Sequence, residues 1–226
     1  MDVELPRYEV VTEFPPAEPQ ILFEDDSLLV LVKPPGMLSV AGKTISDCVE
    51  HRLQSRYSSL VQGSLSRMLV HRLDQATSGL MVAAKNVTCH KALHQQFARR
   101  EVDKQYVAVV DGFIDNESGV IELPLRVDLD DRPRQMVCHQ YGKSATTRYR
   151  VLTRTDTQTR LQLFPVTGRT HQLRVHLAHP DGLSAPIVGD ELYGTSAERL
   201  HLHAEYLRFR HPQTGDSIEF QSPAPF

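Results

Sequence analysis

One carboxylate in this sequence stands in a constrained setting. Asp74 lies within residues 71–80, HRLDQATSGL, between an arginine and the small, turn-forming residues Thr-Ser-Gly. Apolar runs at 68–70 and 80–84 flank the string, which predicts a tight connection between two buried strands. An Asx turn, in which the side chain caps its own backbone, would explain an ordinary Asp here. The alternative is a catalytic carboxylate that acts as a nucleophile or as a general base.

The string resembles the signature of the RluA-type pseudouridine synthases, which isomerise uridine in structured RNA. Four further segments resemble motifs of the same family, so that the resemblance extends from Ile21 to the C-terminus. These segments are 33–40 (KPPGMLSV), 104–108 (KQYVA), 168–176 (GRTHQLRVH) and 202–204 (LHA).

Three shorter segments resemble one subgroup of that family, named for ribosomal large-subunit pseudouridine synthase A. They are 123–125 (LPL), 132–135 (RPRQ) and 142–143 (GK). Members of this subgroup act on 23S rRNA and, in some cases, on a tRNA anticodon stem-loop. The resemblance therefore implies an enzyme whose partner is 23S rRNA, tRNA or both.

The resemblance also implies roles for particular residues. It identifies Asp74 as the catalytic group and Tyr106 as an active-site tyrosine, and it pairs Arg174 with Asp74. Pseudouridine formation breaks the N1–C1′ bond, turns the uracil and joins C5 to C1′, so that neither ATP nor a redox cofactor is needed. Asp74 could add to C1′ or remove a C2′ proton, and the sequence does not decide between them. A guanidinium suits the pairing because it stays charged and can hold a carboxylate through two hydrogen bonds.

A stacked uridine cannot reach such a pocket, so the nucleotide must flip out of its helix or loop. Arg72 is the candidate to fill the vacated space or to hold a phosphate. Leu173 would form an apolar floor for the uracil, and Tyr106 could stack on it. Further candidates for contacts with the substrate or the RNA backbone are His71, Thr77, Lys143, Arg148, Arg150 and Arg169.

The charge distribution is compatible with a polyanion although the net charge is −3. Residues 1–26 contain eight acidic residues and one basic residue, whereas the remaining chain contains 24 basic and 20 acidic residues. Residues 143–176 contain seven basic residues and one acidic residue. A local basic field of this kind is able to hold phosphates.

The pattern of apolar residues predicts an α+β domain over 21–226, built on a largely antiparallel mixed sheet with a few flanking helices. Residues 1–20 are acidic and proline-rich and predict an extended arm, too short and too acidic for an S4-type RNA-binding module. We expect a capping box at 44–47 to begin one helix and Asn86 to begin another. The predicted strands lie at 27–32, 80–84, 106–110, 145–152, 159–166, 200–210 and 217–220.

Other classes of protein are disfavoured by the composition. No apolar run is long enough to span a membrane, and a cytoplasmic, monomeric protein is expected. The three cysteines are far apart and predict neither disulfides nor a zinc site, and the histidines do not have metal-ligand spacing. Residues 41–44 (AGKT) lack the first glycine of a phosphate-binding loop, so no nucleotide cofactor is predicted.

Two rival functions stay open at this point. The first is a non-catalytic RNA-binding or chaperone domain of the same fold, against which the joint presence of Asp74, Tyr106 and Arg174 argues. The second is a phosphotransferase, which would bind ATP with magnesium and would be revealed by thermal stabilisation with that ligand.

Overall fold

The computed structural model describes residues 17–61 and 67–226, so that the expected arm lies outside the described residues up to residue 16. The described part contains eleven strands and four helical segments. The strands are β1 (Gln20–Glu24), β2 (Leu28–Lys33), β3 (Ser78–Ala84), β4 (Asp103–Asp111), β5 (Ser118–Glu122), β6 (Leu125–Val127), β7 (Gln135–Val137), β8 (Thr146–Arg154), β9 (Gln158–Pro165), β10 (Leu202–Arg210) and β11 (Ser217–Gln221). The helical segments are α1 (Val49–Arg56), α2 (Ser58–Val61), α3 (Val87–Arg99) and α4 (Gln172–Ala178).

Nine of these strands form one mixed sheet. Its spatial order is β1-β2-β3-β10-β4-β9-β8-β5, with β11 paired to β10, and β6 and β7 form a separate hairpin. Strands β3 and β10 run parallel, and the other paired strands run antiparallel. The predicted α+β architecture with a largely antiparallel sheet is confirmed.

Strand β10 brings two distant parts of the sequence together. Ala204 of β10 is in register with Gly79 of β3 on one side and with Tyr106 of β4 on the other. Gly79 has φ of +120°, and a Cβ atom there would lie 2.3 Å from the Ala204 carbonyl oxygen. Because only glycine permits this approach, the last residues of the 71–80 string are held one strand away from Tyr106.

Strands β2 and β3 are continuously apolar over 28–32 and 80–84, because both faces of the sheet are covered there. Residues of α1 such as Leu53 pack on one face with Met81, and residues of α3 such as Leu93 pack on the other with Val82. A third cluster joins β4, β8 and β9 to α4 through Leu173. The loop at 71–77 enters the sheet between these clusters and is therefore anchored at its C-terminal end.

The helix boundaries confirm one prediction and correct another. Asn86 caps α3, accepting a hydrogen bond from Cys89 N–H at 2.9 Å, as expected. The expected capping box at 44–47 is wrong, because α1 begins later and Cys48 is its N-cap. Asp47 instead forms an ion pair with Arg52. Helix α4 was not expected, since seven residues are too few to establish a helical periodicity.

Candidate active site

A cleft of about 1360 Å³ is bounded by the loop before β3, by strands β4, β5, β8 and β9, and by the first residues of α4. Nine of the residues selected from the sequence line it, whereas Arg174 and Lys143 do not. The nine are His71, Arg72, Asp74, Thr77, Tyr106, Arg148, Arg150, Arg169 and Leu173. The structure thus brings together residues that are up to 102 positions apart in the sequence.

The loop that carries Asp74 is fixed by hydrogen bonds on both sides of that residue. Before it, the buried Ser39 hydroxyl donates to the Leu73 carbonyl at 2.6 Å and accepts from Leu73 N–H at 3.0 Å. After it, the Gln75 carbonyl accepts from Gly36 N–H and from the Lys33 ammonium, each at 2.9 Å. Asp74 is therefore presented on a rigid support.

Lys33 has a structural role that the sequence did not reveal. Its side chain is fully buried, and its ammonium donates to the carbonyls of Pro34 and Met37 at 2.8 Å as well as to that of Gln75. Burial lowers the pKa of Lys33 to about 7, and the charge of Asp74 acts against this shift. Three acceptors match the three N–H donors of an ammonium, so Lys33 ties the 33–37 loop to the loop of Asp74.

The expected ion pair between Arg174 and Asp74 is wrong. The Arg174 guanidinium instead forms a two-pronged pair with the fully buried Asp190, from Nε to Oδ2 at 2.8 Å and from Nη2 to Oδ1 at 2.6 Å. No Arg174 nitrogen lies within 4.0 Å of a carboxylate oxygen of Asp74, both residues being described. Both carboxylate oxygens of Asp190 accept from the guanidinium, so Arg174 makes no ion pair with Asp74.

Arg174 and Asp74 nevertheless interact through their charges. Burial acts to lower the pKa of Arg174, but its bonds to Asp190 and the charges of Asp190 and Asp74 raise that pKa above the ordinary value. The guanidinium also lies over the Tyr193 ring, 5.2 Å from its centroid. Since Asp190 additionally accepts from the N–H groups of Leu192 and Tyr193, this cation has a fixed position.

Tyr106 and Leu173 form walls of the cleft next to Asp74. Leu173 is 7 % exposed, which makes it an apolar surface rather than a free side chain. Burial and the charge of Asp74 raise the pKa of Tyr106, so the phenol keeps its proton at neutral pH. The nearby Thr77 is buried, and its hydroxyl has no hydrogen-bond partner among residues 17–61 and 67–226.

His71 supports the loop through contacts with β3 and α3. Its Nε2 accepts the Val82 N–H at 3.0 Å, and its ring stacks on Phe97 with centroids 4.5 Å apart. Burial, together with the positive charge of Lys104, lowers the pKa of His71 to about 3. The imidazole is therefore neutral at physiological pH.

This shift predicts acid sensitivity of the fold. Because the His71 pKa is lower in the folded chain, the unfolded chain binds the extra proton between about pH 3 and pH 6.5, and stability falls as the pH falls through this window. From pH 7 to pH 5 the loss due to His71 is about 2 kcal/mol. Urea unfolding of H71Q, which keeps an acceptor but does not titrate, should show a smaller loss than wild type. Equal losses would contradict the assignment.

The rim of the cleft is basic. Arg72, Arg148, Arg150 and Arg169 are exposed side chains that line it. Lys143 lies elsewhere: it is exposed and pairs through its backbone with Leu125 beside the β6–β7 hairpin. The basic residues selected from 148–169 thus share one surface, and Lys143 is not part of it.

The histidines that could have suggested zinc have other partners. His203 contacts the Ser78 hydroxyl at 2.8 Å and the Ser222 carbonyl at 3.0 Å, and His176 contacts the Leu123 carbonyl at 3.1 Å. In the described ranges, no group of three or more His, Cys, Asp or Glu side chains is arranged to hold a metal ion. Among the helices of those ranges, none is both long enough and apolar enough to cross a membrane.

Comparison with known proteins decides the family. The sequence profile described as RNA pseudouridylate synthase matches residues 27–179. The chain belongs to the RNA pseudouridylate synthase family. The match includes Asp74, Tyr106 and Arg174, and the resemblance inferred from the sequence is confirmed.

Individual relatives support a narrower assignment within the pseudouridine synthases. The chain is 45 % identical over 214 residues to the dual-specificity RNA pseudouridine synthase RluA of Vibrio vulnificus (strain CMCP6), covering 88 % of this chain and 82 % of that protein. It is 43 % identical over 222 residues to the protein of the same name from Escherichia coli (strain K12), covering 94 % of this chain and 97 % of that protein. The chain is an RluA-type RNA pseudouridine synthase, an isomerase, and nothing favours the non-catalytic alternative.

The fold agrees with that of solved pseudouridine synthase structures. Human RNA Pseudouridylate Synthase Domain Containing 1 superposes with a TM-score of 0.76 at 27 % identity, covering 94 % of this chain and 87 % of that one. Human RNA Pseudouridylate Synthase Domain Containing 4 superposes with a TM-score of 0.72 at 26 % identity, covering 91 % and 88 %.

Proposed function

We propose that this enzyme converts uridine to pseudouridine in a stem-loop of 23S rRNA, of tRNA or of both, with Asp74 as the catalytic carboxylate. The observation that supports this most directly is the position of Asp74, on a rigid loop at the wall of a large cleft whose rim is basic. Two substrate classes agree with the word "dual-specificity" in the names of the relatives.

The proposed reaction begins when the target nucleotide flips out of its loop into the cleft. Arg72, an exposed side chain next to the Asp74 loop, is available to occupy the vacated space. Unpaired RNA loops offer bases that can be displaced at low cost, which favours a stem-loop over a continuous helix. The exposed arginines of the rim would hold the RNA backbone on both sides.

In the cleft, the ionised Asp74 attacks the sugar, either at C1′ or at the C2′ proton. The Arg174 guanidinium, held by Asp190, interacts with Asp74 through its charge and forms no ion pair with the Asp74 oxygens. The detached uracil would be retained between Tyr106 and Leu173 and rejoined to C1′ through C5. The protonated Tyr106 phenol would donate a hydrogen bond to the base and relay the C5 proton.

RNA substrates of these kinds imply a cytoplasmic enzyme. We propose that it is active as a monomer and that residues 21–226 form its catalytic domain.

The test is mapping of pseudouridines by carbodiimide modification and primer extension in total RNA from a strain that lacks the gene. We expect sites in 23S rRNA, in tRNA or in both to be lost and to return with a plasmid copy. The purified protein should modify the corresponding synthetic stem-loops without ATP, and unchanged pseudouridine maps in the deletion strain would contradict the proposal.

A further inference from the structure

Lys104 is a half-buried cation in the cleft for which the reaction described above has no use. It lies on β4 two residues before Tyr106, so both side chains leave the same face of the strand. Its ammonium lies over the Phe97 ring, 5.9 Å from the centroid, and His71 stacks on that same ring. The ammonium thus faces an aromatic ring.

The ammonium of Lys104 has neither an anionic partner nor a hydrogen-bond acceptor among the residues that the structure describes. The adjacent carboxylate, Asp103, forms an ion pair with Arg208 instead. The Arg208 Nε and Nη2 donate to Asp103 Oδ2 at 2.9 and 2.6 Å. Burial lowers the pKa of Lys104, in agreement with an environment that lacks a compensating negative charge.

An unpaired, largely desolvated ammonium costs folding free energy. The exposed arginines of the rim stay hydrated and do not carry this cost, whereas Lys104 is held in place by its surroundings. The Gly168 backbone lies nearby, since a Cβ added there would come 4.0 Å from Lys104 Nζ and would meet no other atom that close. Lys104 and Gly168 both line the cleft.

We propose that Lys104 binds a phosphate that flanks the flipped-out uridine and so fixes its ribose against Asp74. This inference rests on the proposed function and adds a specific anchoring residue to it. A phosphate oxygen would supply the missing anionic acceptor in a charge-assisted hydrogen bond. The rim arginines position the RNA as a whole, whereas Lys104 positions the single nucleotide that reacts.

The test uses a stem-loop RNA that the wild-type enzyme modifies, in which one phosphate next to the target uridine is replaced by an uncharged methylphosphonate. Substrates with the replacement 5′ and 3′ of the uridine are compared with the unmodified RNA, for wild type, K104M, K104R and K91M. Lys91 is the matched control because it is exposed on α3 and does not line the cleft.

We expect wild type and K91M to lose about tenfold or more in kcat/KM on one of the two substituted RNAs, the size of a lost charge-assisted contact. K104M should show that loss already on unmodified RNA and should lose no more on the substituted one. Its slope of log affinity against log salt should be smaller by about 0.7 to 0.9, while K104R keeps the slope. K104M should also melt at or above the wild-type temperature, because an unpaired buried charge has been removed.

Two outcomes would overturn the inference. If the fold-losses in kcat/KM from K104M and from the methylphosphonate are independent and multiply on both substituted RNAs, Lys104 contacts neither phosphate. If K104M melts well below wild type, the ammonium supports the fold and is not an unsatisfied binding group. Wild-type turnover on the unmodified RNA is measured in the same experiment, so failure of the proposed function would be seen separately.

Discussion

Replacement of Asp74 by asparagine is expected to abolish pseudouridine formation while the protein stays folded and binds RNA. The amide has nearly the same shape as the carboxylate but can neither add to C1′ nor accept a C2′ proton. The backbone bonds that hold the loop involve Leu73, Gln75 and the Asp74 carbonyl, none of which the substitution changes. We therefore expect a loss of more than 100-fold in the single-turnover rate, or more than about 2.7 kcal/mol of transition-state stabilisation.

The appropriate control is D156N, which makes the same chemical change at an exposed position in the turn between β8 and β9. Its turnover should equal that of wild type, and both variants should bind the stem-loop with wild-type affinity within a few-fold. Retention of more than about one per cent of the wild-type rate by D74N would show that another group performs the chemistry. Loss of RNA binding by D74N would instead show that the carboxylate organises the binding surface.

The parts of the fold that were predicted correctly are those in which local pattern and tertiary environment agree. Strands β2 and β3 contain continuous apolar runs at 28–32 and 80–84 because helices cover both faces of the sheet, and such runs are visible in the sequence. The N-cap of α3 is a local interaction between Asn86 and Cys89 and could be predicted from the sequence. The N-cap of α1 could not be predicted in this way, because Cys48 is a poor capping residue by preference and tertiary packing sets the start of that helix.

The sequence predicted which residues line the site but not the hydrogen bonds and ion pairs that hold them. The side chains that contact the cleft follow from the resemblance, whereas the partner of Arg174 does not. Asp190 lies 16 residues further along the chain, beyond an irregular connection, and nothing local marks it as buried. The position of Lys33, at the end of an apolar strand and just before Pro-Pro-Gly, was a visible signal in the sequence. A charge at such a position must find hydrogen-bond acceptors or solvent. Lys143 stays a candidate for contact with RNA, but its proximity in sequence to the basic strands did not determine which surface it joins.

The corrected pairing changes what the loss of Arg174 should do. R174M removes a cation that is 5 % exposed and leaves Asp190, fully buried, with only the N–H groups of Leu192 and Tyr193 as donors. Breaking one side of a buried ion pair typically costs about 3–5 kcal/mol, because the remaining charge is uncompensated. We expect R174M to lower the free energy of unfolding by about this amount, measured by urea denaturation. R208M, which disrupts the exposed pair with Asp103, should leave stability unchanged within error.

The double variant R174M/D190L separates the structural role of Arg174 from its electrostatic role. Removing both charges replaces a buried ion pair by apolar side chains, which can restore much of the lost stability. The positive field at Asp74 is absent in both variants, so turnover should stay low in the double variant although the protein is folded. If the double variant recovered stability and activity together, Arg174 would serve only to neutralise Asp190, and its charge would have no part in the reaction at Asp74.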